Sequence, residues 1–216
     1  MPTEIIDKTV AFVKRSLENA ESGHDWWHTE RVWKNARLLL RSEEANHLIV
    51  ELAALLHDIA DSKFHDGDEE IGPITARDFL KSAGTEESVA FHVEQIIRHM
   101  SYKSGLGEIG YTSKEMEIVQ DADRLDAIGA IGIARAFTYG GYKNRILYDP
   151  AIVPKPLQSK EEYKNSTAPT VNHFYEKLLL LKDKMNTAAA SRIAAERHEF
   201  MERYLEQFFA EWQGEK

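Results

Sequence analysis

The feature that most constrains this chain is the run Leu52-Ala53-Ala54-Leu55-Leu56-His57-Asp58-Ile59-Ala60-Asp61. An apolar stretch of this kind reads as a core helix, yet it leads straight into a His-Asp pair, two side-chain types that bind metal ions. Successive helix residues project about 100° apart, so one ion beyond the final turn can meet both side chains. Asp61 follows Asp58 by three positions and can lie beside the pair without replacing it. A His-Asp doublet alone is also how an ordinary helix end with a half-buried histidine reads, so residues elsewhere decide its meaning.

Two other stretches that read as helices supply them. His28 lies in Trp26-Trp27-His28-Thr29-Glu30-Arg31-Val32-Trp33, and Asp123 lies in Gln120-Asp121-Ala122-Asp123-Arg124-Leu125-Asp126-Ala127-Ile128-Gly129. The order His, His-Asp, Asp on three separate helices resembles the HD phosphohydrolase superfamily, named for that doublet. The likeness runs from His24 to Phe137. It implies an all-α fold, a compact multi-helix HD-domain bundle with a long loop before two C-terminal helices, and it puts His28, His57, Asp58 and Asp123 on the family's four metal-ligand positions. The nearest resemblance is to small bacterial single-domain HD hydrolases, some of which are nucleotide pyrophosphohydrolases.

At 216 residues and 43% hydrophobic content the chain is one or at most two domains; the resemblance implies one HD-type helical domain over 1–216, with a metal-binding core at 24–137, a loop at 140–170 and C-terminal helices at 171–212. It has no cysteine, so neither disulfides nor a thiolate metal site enter the account. That composition fits a reducing, cytoplasmic setting. The first residues, Met1 to Val13, mix acids with apolar side chains and do not read as a signal peptide. No apolar run reaches the roughly 18 residues a membrane span requires. A net charge of −9 repels phosphate backbones, which sets aside long nucleic acid as a partner and leaves a small phosphorylated substrate held by a metal and a few local cations.

In chain order, Thr3 caps a first helix ending near Asn19, and Asp25 caps a second that carries His28, Val32, Ala36 and Leu39 inward. A third helix spans Glu44 to Ala60. The polar loop Asp61-Ser62-Lys63-Phe64-His65-Asp66-Gly67-Asp68 follows; Asp66-Gly67-Asp68 lacks the rest of a calcium loop and reads as a turn. A fourth helix, Ile71 to Ala83, stops at Gly84, and Thr85 starts a fifth that ends near Met100. Ser113 caps a short sixth helix, and a seventh runs from Asp121 to Tyr139, its small residues allowing close packing. From Gly140 to Pro169 the pattern breaks, which suggests a lid or partner-contact segment supplying Lys143 or Arg145. Helices over Val171–Met185 and Thr187–Trp212 close the chain.

His24 competes with His28 for the first ligand position, and Asp121 and Asp126 compete with Asp123 for the last; the resemblance selects His28 and Asp123. Asp121 and Asp126 remain candidates for holding imidazole N–H groups. His92 and His99, seven apart on one helix face, are expected to be structural rather than a second metal pair, although His99 is also a substrate candidate. Two imidazoles and two carboxylates favour one divalent ion, Mn or Mg first, with Fe, Co or Ni as further choices, over structural Zn. The resemblance puts the acid Asp61 beside the attacking water, with Asp58 as its catalytic neighbour. Lys63, His65, His99, Lys103, Arg124 and Arg145 are candidates for holding phosphates. The resemblance implies hydrolysis of a nucleoside triphosphate to monophosphate and pyrophosphate as the expected activity. Nucleotide monophosphatase, cyclic-nucleotide phosphodiesterase and a non-catalytic nucleotide-sensing module are the alternatives. A homodimer is a further expectation.

Overall fold

The structure is a computed structural model that describes residues 2–18, 25–60, 68, 70–100, 110–155 and 167–216. The described residues are all-α, as the resemblance implied, with no strand among them. The chain forms two compact units, 1–123 and 124–216.

The first unit is built from α1 (Pro2–Ser16), α2 (Trp26–Leu39), α3 (His47–Leu56), α4 (Ile71–Ser82), α5 (Glu87–His99) and α6 (Lys114–Asp126), the last three residues of α6 belonging to the second unit. Its centre is α3. Val50 and all of Leu52, Ala53, Ala54, Leu55 and Leu56 are shielded from water, because α1, α2 and α5 all pack against this one helix. Each buried leucine contributes about 2 kcal/mol. The helix is shorter than its apolar pattern suggested. It starts after Asn46, whose side chain accepts from the Leu48 and Ile49 N–H groups, and it stops at Leu56. The His-Asp doublet therefore lies just past the helix end and not on it.

The α2 face toward the core is the stripe His28, Val32, Asn35, Ala36 and Leu39. Between α4 and α5 the buried Glu94 carboxylate receives Arg77 at 2.8 Å and Arg98 at 3.0 Å. Gly84, at φ +84°, ends α4 as expected. Thr85 does not cap α5. Its N–H instead donates to Leu80 O, closing the end of α4, and Glu86 takes the α5 cap position without a side-chain bond. The largest departure from the sequence pattern is at α6. One helix runs through Asp121 and Asp123, capped by Ser113 Oγ, which accepts from Met116 N–H at 3.1 Å. The chain breaks at Ala127–Ile128, where Gly129 takes φ +75° against the Arg197 side chain.

The second unit holds α7 (Gly129–Tyr142), α8 (Asn172–Glu176), a 3-10 helix (Leu178–Lys184) and α9 (Ala188–Trp212), which Thr187 caps. The single helix expected over Val171–Met185 is split at Lys177, whose φ of −145° lies outside helical space. Packing of α7 on α9 and a chain of ring contacts through Phe137, Phe174, Tyr204 and Phe208 make its core. Ile146 O and Leu147 O accept from Thr170 and Val171 N–H, tying the segment after α7 to α8. Among the described residues no helix is long and apolar enough to cross a membrane.

Burial, then Lys177 and Arg145 nearby, push the His173 imidazole down from 6.5 to about 4. The folded state keeps this ring neutral while the unfolded chain protonates it below 6.5, so its contribution is complete above pH 6.5 and is lost as pH falls toward 4. Each pH unit in that window is expected to cost about 1.4 kcal/mol. Urea midpoints at pH 7 and pH 4.5 should differ less in H173Q than in the unaltered protein; equal differences would contradict this assignment.

Candidate metal centre

Two helix ends bring the site together. At the start of α2, Asp25 caps the helix and its Oδ1 accepts from the His28 N–H at 2.9 Å. The cap fixes where the first turn begins, and with it the direction of the His28 ring, which is 2% exposed. At the end of α3 the carbonyl of Ala54 would lack a helical partner. His57 Nδ1 lies 2.9 Å from it. A carbonyl oxygen only accepts, so Nδ1 carries the hydrogen and Nε2 presents its lone pair. The bond that finishes the helix thus sets the tautomer of the ring.

The two rings meet edge to face, with Nε2 atoms 3.3 Å apart. Asp58 Oδ2 lies 3.5 Å from His28 Nε2 and 3.8 Å from His57 Nε2. Asp123 Oδ1, from the last turns of α6, lies 3.5 Å from His28 Nε2. Among the described residues, His28, His57 and Asp58 are the one group of three or more potential ligands whose atoms all lie within 4.8 Å of one another. Ligands bonded at about 2.1 Å to one ion stand about 3 Å apart at right angles and about 4.2 Å apart across it. The separations among His28, His57 and Asp58, and that of Asp123 from His28, fall in that interval, while Asp123 stands outside the group of three. The imidazole side chains are 2% and 3% exposed and the carboxylates of Asp58 and Asp123 are 22% and 45% exposed. The donor set is therefore dry on its nitrogen side and open to water on its oxygen side, a nitrogen–oxygen set without thiolate that fits a divalent cation.

The remaining described candidates have the following contacts. His99 Nδ1 donates to Gln95 O at 2.9 Å and the ring lies against Tyr111, which also contacts His92. His92 Nε2 is 3.1 Å from Ser113 Oγ. Asp121 is fully buried. In the second unit Asp126 pairs with Arg135, Arg124 Nη1 donates to Lys184 O at 2.6 Å, and Arg145 lies over the Tyr139 ring. His24, Asp61, Lys63, His65 and Lys103 lie outside the described residues. Sequence reading overlooked two residues on α2. Trp27, beside His28, is 62% exposed, and Asn35 is a lone amide on the buried stripe. A polar residue two turns from a ligand histidine, in otherwise apolar company, was the available signal for Asn35.

Comparison with known proteins shows the family. The HD domain family matches residues 26–128. The chain is 39% identical over 198 residues to the Bacillus subtilis protein YpgQ, covering 91% of this chain and 88% of YpgQ. The crystal structure of YpgQ in complex with ADP is similar at a TM-score of 0.74, over 96% of this chain and 94% of that one. An HD-superfamily hydrolase from Bacillus thuringiensis is similar at a TM-score of 0.79 with 46% identity over 99% of both chains. A Lactobacillus plantarum structure reaches 0.81 at 36% identity over 98% of both. The chain belongs to the HD domain family. It is an HD-superfamily hydrolase of the metal-dependent phosphohydrolase type.

A cation bound only by the folded state stabilises it by about 2.7 kcal/mol at a hundredfold excess over Kd. Mn²⁺ is expected to raise the melting temperature and a chelator to reverse the rise. In H57A the rise should vanish; an equal rise in H57A would place the ion elsewhere.

Proposed function

We propose that the protein hydrolyses nucleotides with one divalent ion, Mn²⁺ or Mg²⁺, cleaving a nucleoside triphosphate between its α and β phosphates to give monophosphate and pyrophosphate. The observation that carries this reading is the cluster of His28, His57 and the water-facing Asp58, whose ligand atoms lie within 4.8 Å of one another, with Asp123 Oδ1 3.5 Å from His28 Nε2. His28, His57, Asp58 and Asp123 would hold the ion. When bound, it acidifies water and withdraws charge from a phosphoryl oxygen. The nucleotide class is supported by the ADP complex of YpgQ. The choice of bond rests on the resemblance to small bacterial HD hydrolases.

The chain's own groups divide the remaining work. Asp61 takes a proton from the attacking water as its oxygen bonds to the α phosphorus, and the bond to the bridging oxygen breaks with pyrophosphate as the leaving group. Asp58 is both a ligand and the neighbour that orients this water. Lys63, His65, His99, Lys103, Arg124 and Arg145 are the cations and donors assigned to the phosphates, which a chain of net charge −9 must hold with local positive charge. Trp27, one residue before His28 and 62% exposed, offers a face on which a base can stack. The absence of cysteine suits work in the cytoplasm.

A panel of nucleotides assayed with Mn²⁺ tests the reaction. Pyrophosphate from triphosphates is expected. Orthophosphate from monophosphates would instead mark a monophosphatase, opening of cyclic nucleotides a phosphodiesterase, and binding without turnover a sensing module. D58A should abolish turnover with the helical circular dichroism unchanged, and retained activity would contradict the assignment. W27A should raise KM about tenfold, in line with the ~1–3 kcal/mol of a base stack, at little change in kcat; an unchanged KM would remove Trp27 from the substrate path.

A further inference from the structure

Asp123 is held differently from the other three donors. His28, His57 and Asp58 sit at the ends of α2 and α3, two helices that pack directly on each other. Asp123 sits in the last turns of α6, and its side chain is 45% exposed, so apolar burial of that side chain does not fix its position. The residue before it does more. Ala122 is fully buried, and its carbonyl accepts a 3.1 Å hydrogen bond from Asn35 Nδ2.

Asn35 stands seven residues after His28 on the same buried stripe of α2. Seven residues are close to two full turns, so both side chains leave α2 in nearly the same direction, about 10 Å apart along its axis. Two successive residues of α6 are therefore met by two residues on one face of α2: Ala122 through its backbone by Asn35, and Asp123 through its carboxylate by His28. A helix face that needed only apolar packing would carry leucine or valine at 35, since a buried amide is favourable only where its hydrogen bonds are made. The bond to Ala122 does not add to packing. It fixes how far α6 can slide or turn against α2.

We infer that Asn35 is a positioning residue of the metal centre, setting the register of α6 on α2 so that Asp123 reaches the ion that His28, His57 and Asp58 hold. The inference rests on the proposal that these residues bind a divalent ion. Asn35 acts on the centre through Asp123, by its bond to the carbonyl of Ala122. Groups that orient a ligand in this way typically govern about 10–100-fold in metal affinity.

The test is a Mn²⁺ titration of the full chain, followed by calorimetry and by the electron paramagnetic resonance signal of free Mn²⁺. The unaltered protein is compared with N35L, D123A and the double variant N35L/D123A. Leucine suits the stripe and should keep the fold; N35A, which only trims the side chain, is the second variant should N35L fail to fold. N35L is expected to weaken Mn²⁺ binding about tenfold. The double variant should bind no more weakly than D123A, because the carboxylate that Asn35 positions is already gone. Two results would overturn the inference while leaving the metal centre intact: unchanged affinity in N35L, or an equal further loss when N35L is added to D123A, which would mark a general structural role. Failure of the unaltered protein to bind Mn²⁺ would overturn the metal centre and this inference together.

Discussion

Two imidazole nitrogens facing each other at 3.3 Å, with the Asp58 Oδ2 oxygen 3.5 and 3.8 Å from them, are the arrangement on which the rest of the first unit depends. Lone pairs and negative oxygens do not gather in a water-poor spot by their own attraction. They are held there by helix ends that have independent reasons to be where they are. The Asp25 cap fixes the start of α2 and the His57–Ala54 bond finishes α3, so the energy that terminates two helices also orients two ligands. The apolar sequence from Leu52 to Leu56 drives α3 into the centre, and the doublet arrives at its end without further instruction. A divalent cation is the species that turns this crowding into attraction.

The division between buried nitrogens and exposed oxygens then shapes what such a site can do. Among the described residues the imidazoles are shielded and the carboxylates face water. Asp123 is the most exposed donor and is contributed by α6. In the proposed centre, affinity for the ion and access to it would be carried by different members of the set.

Much of this was legible in the sequence because the signals were local. The Asp25 and Ser113 caps and the stop at Gly84 each depend on neighbours within a few positions, and each is found where expected. The misplaced boundaries have non-local or backbone causes. Gly129 counts as one more small residue in a helical pattern until its φ of +75° is known, and that angle, not composition, separates α6 from α7. Thr85 looks like a cap, yet its N–H serves the preceding helix. Asn35 reads as an imperfection in an apolar stripe, because its partner lies 87 positions away at Ala122. The pairing of His28 with Asp123 was expected from resemblance alone; no spacing in the chain requires it.

The most direct test of this account is anomalous X-ray diffraction near the manganese edge from crystals grown with Mn²⁺. The account expects one strong peak within bonding distance of His28 Nε2, His57 Nε2, Asp58 and Asp123. A peak bonded to other side chains, for instance His92 and His99, or no peak at these four at saturating Mn²⁺, would contradict it.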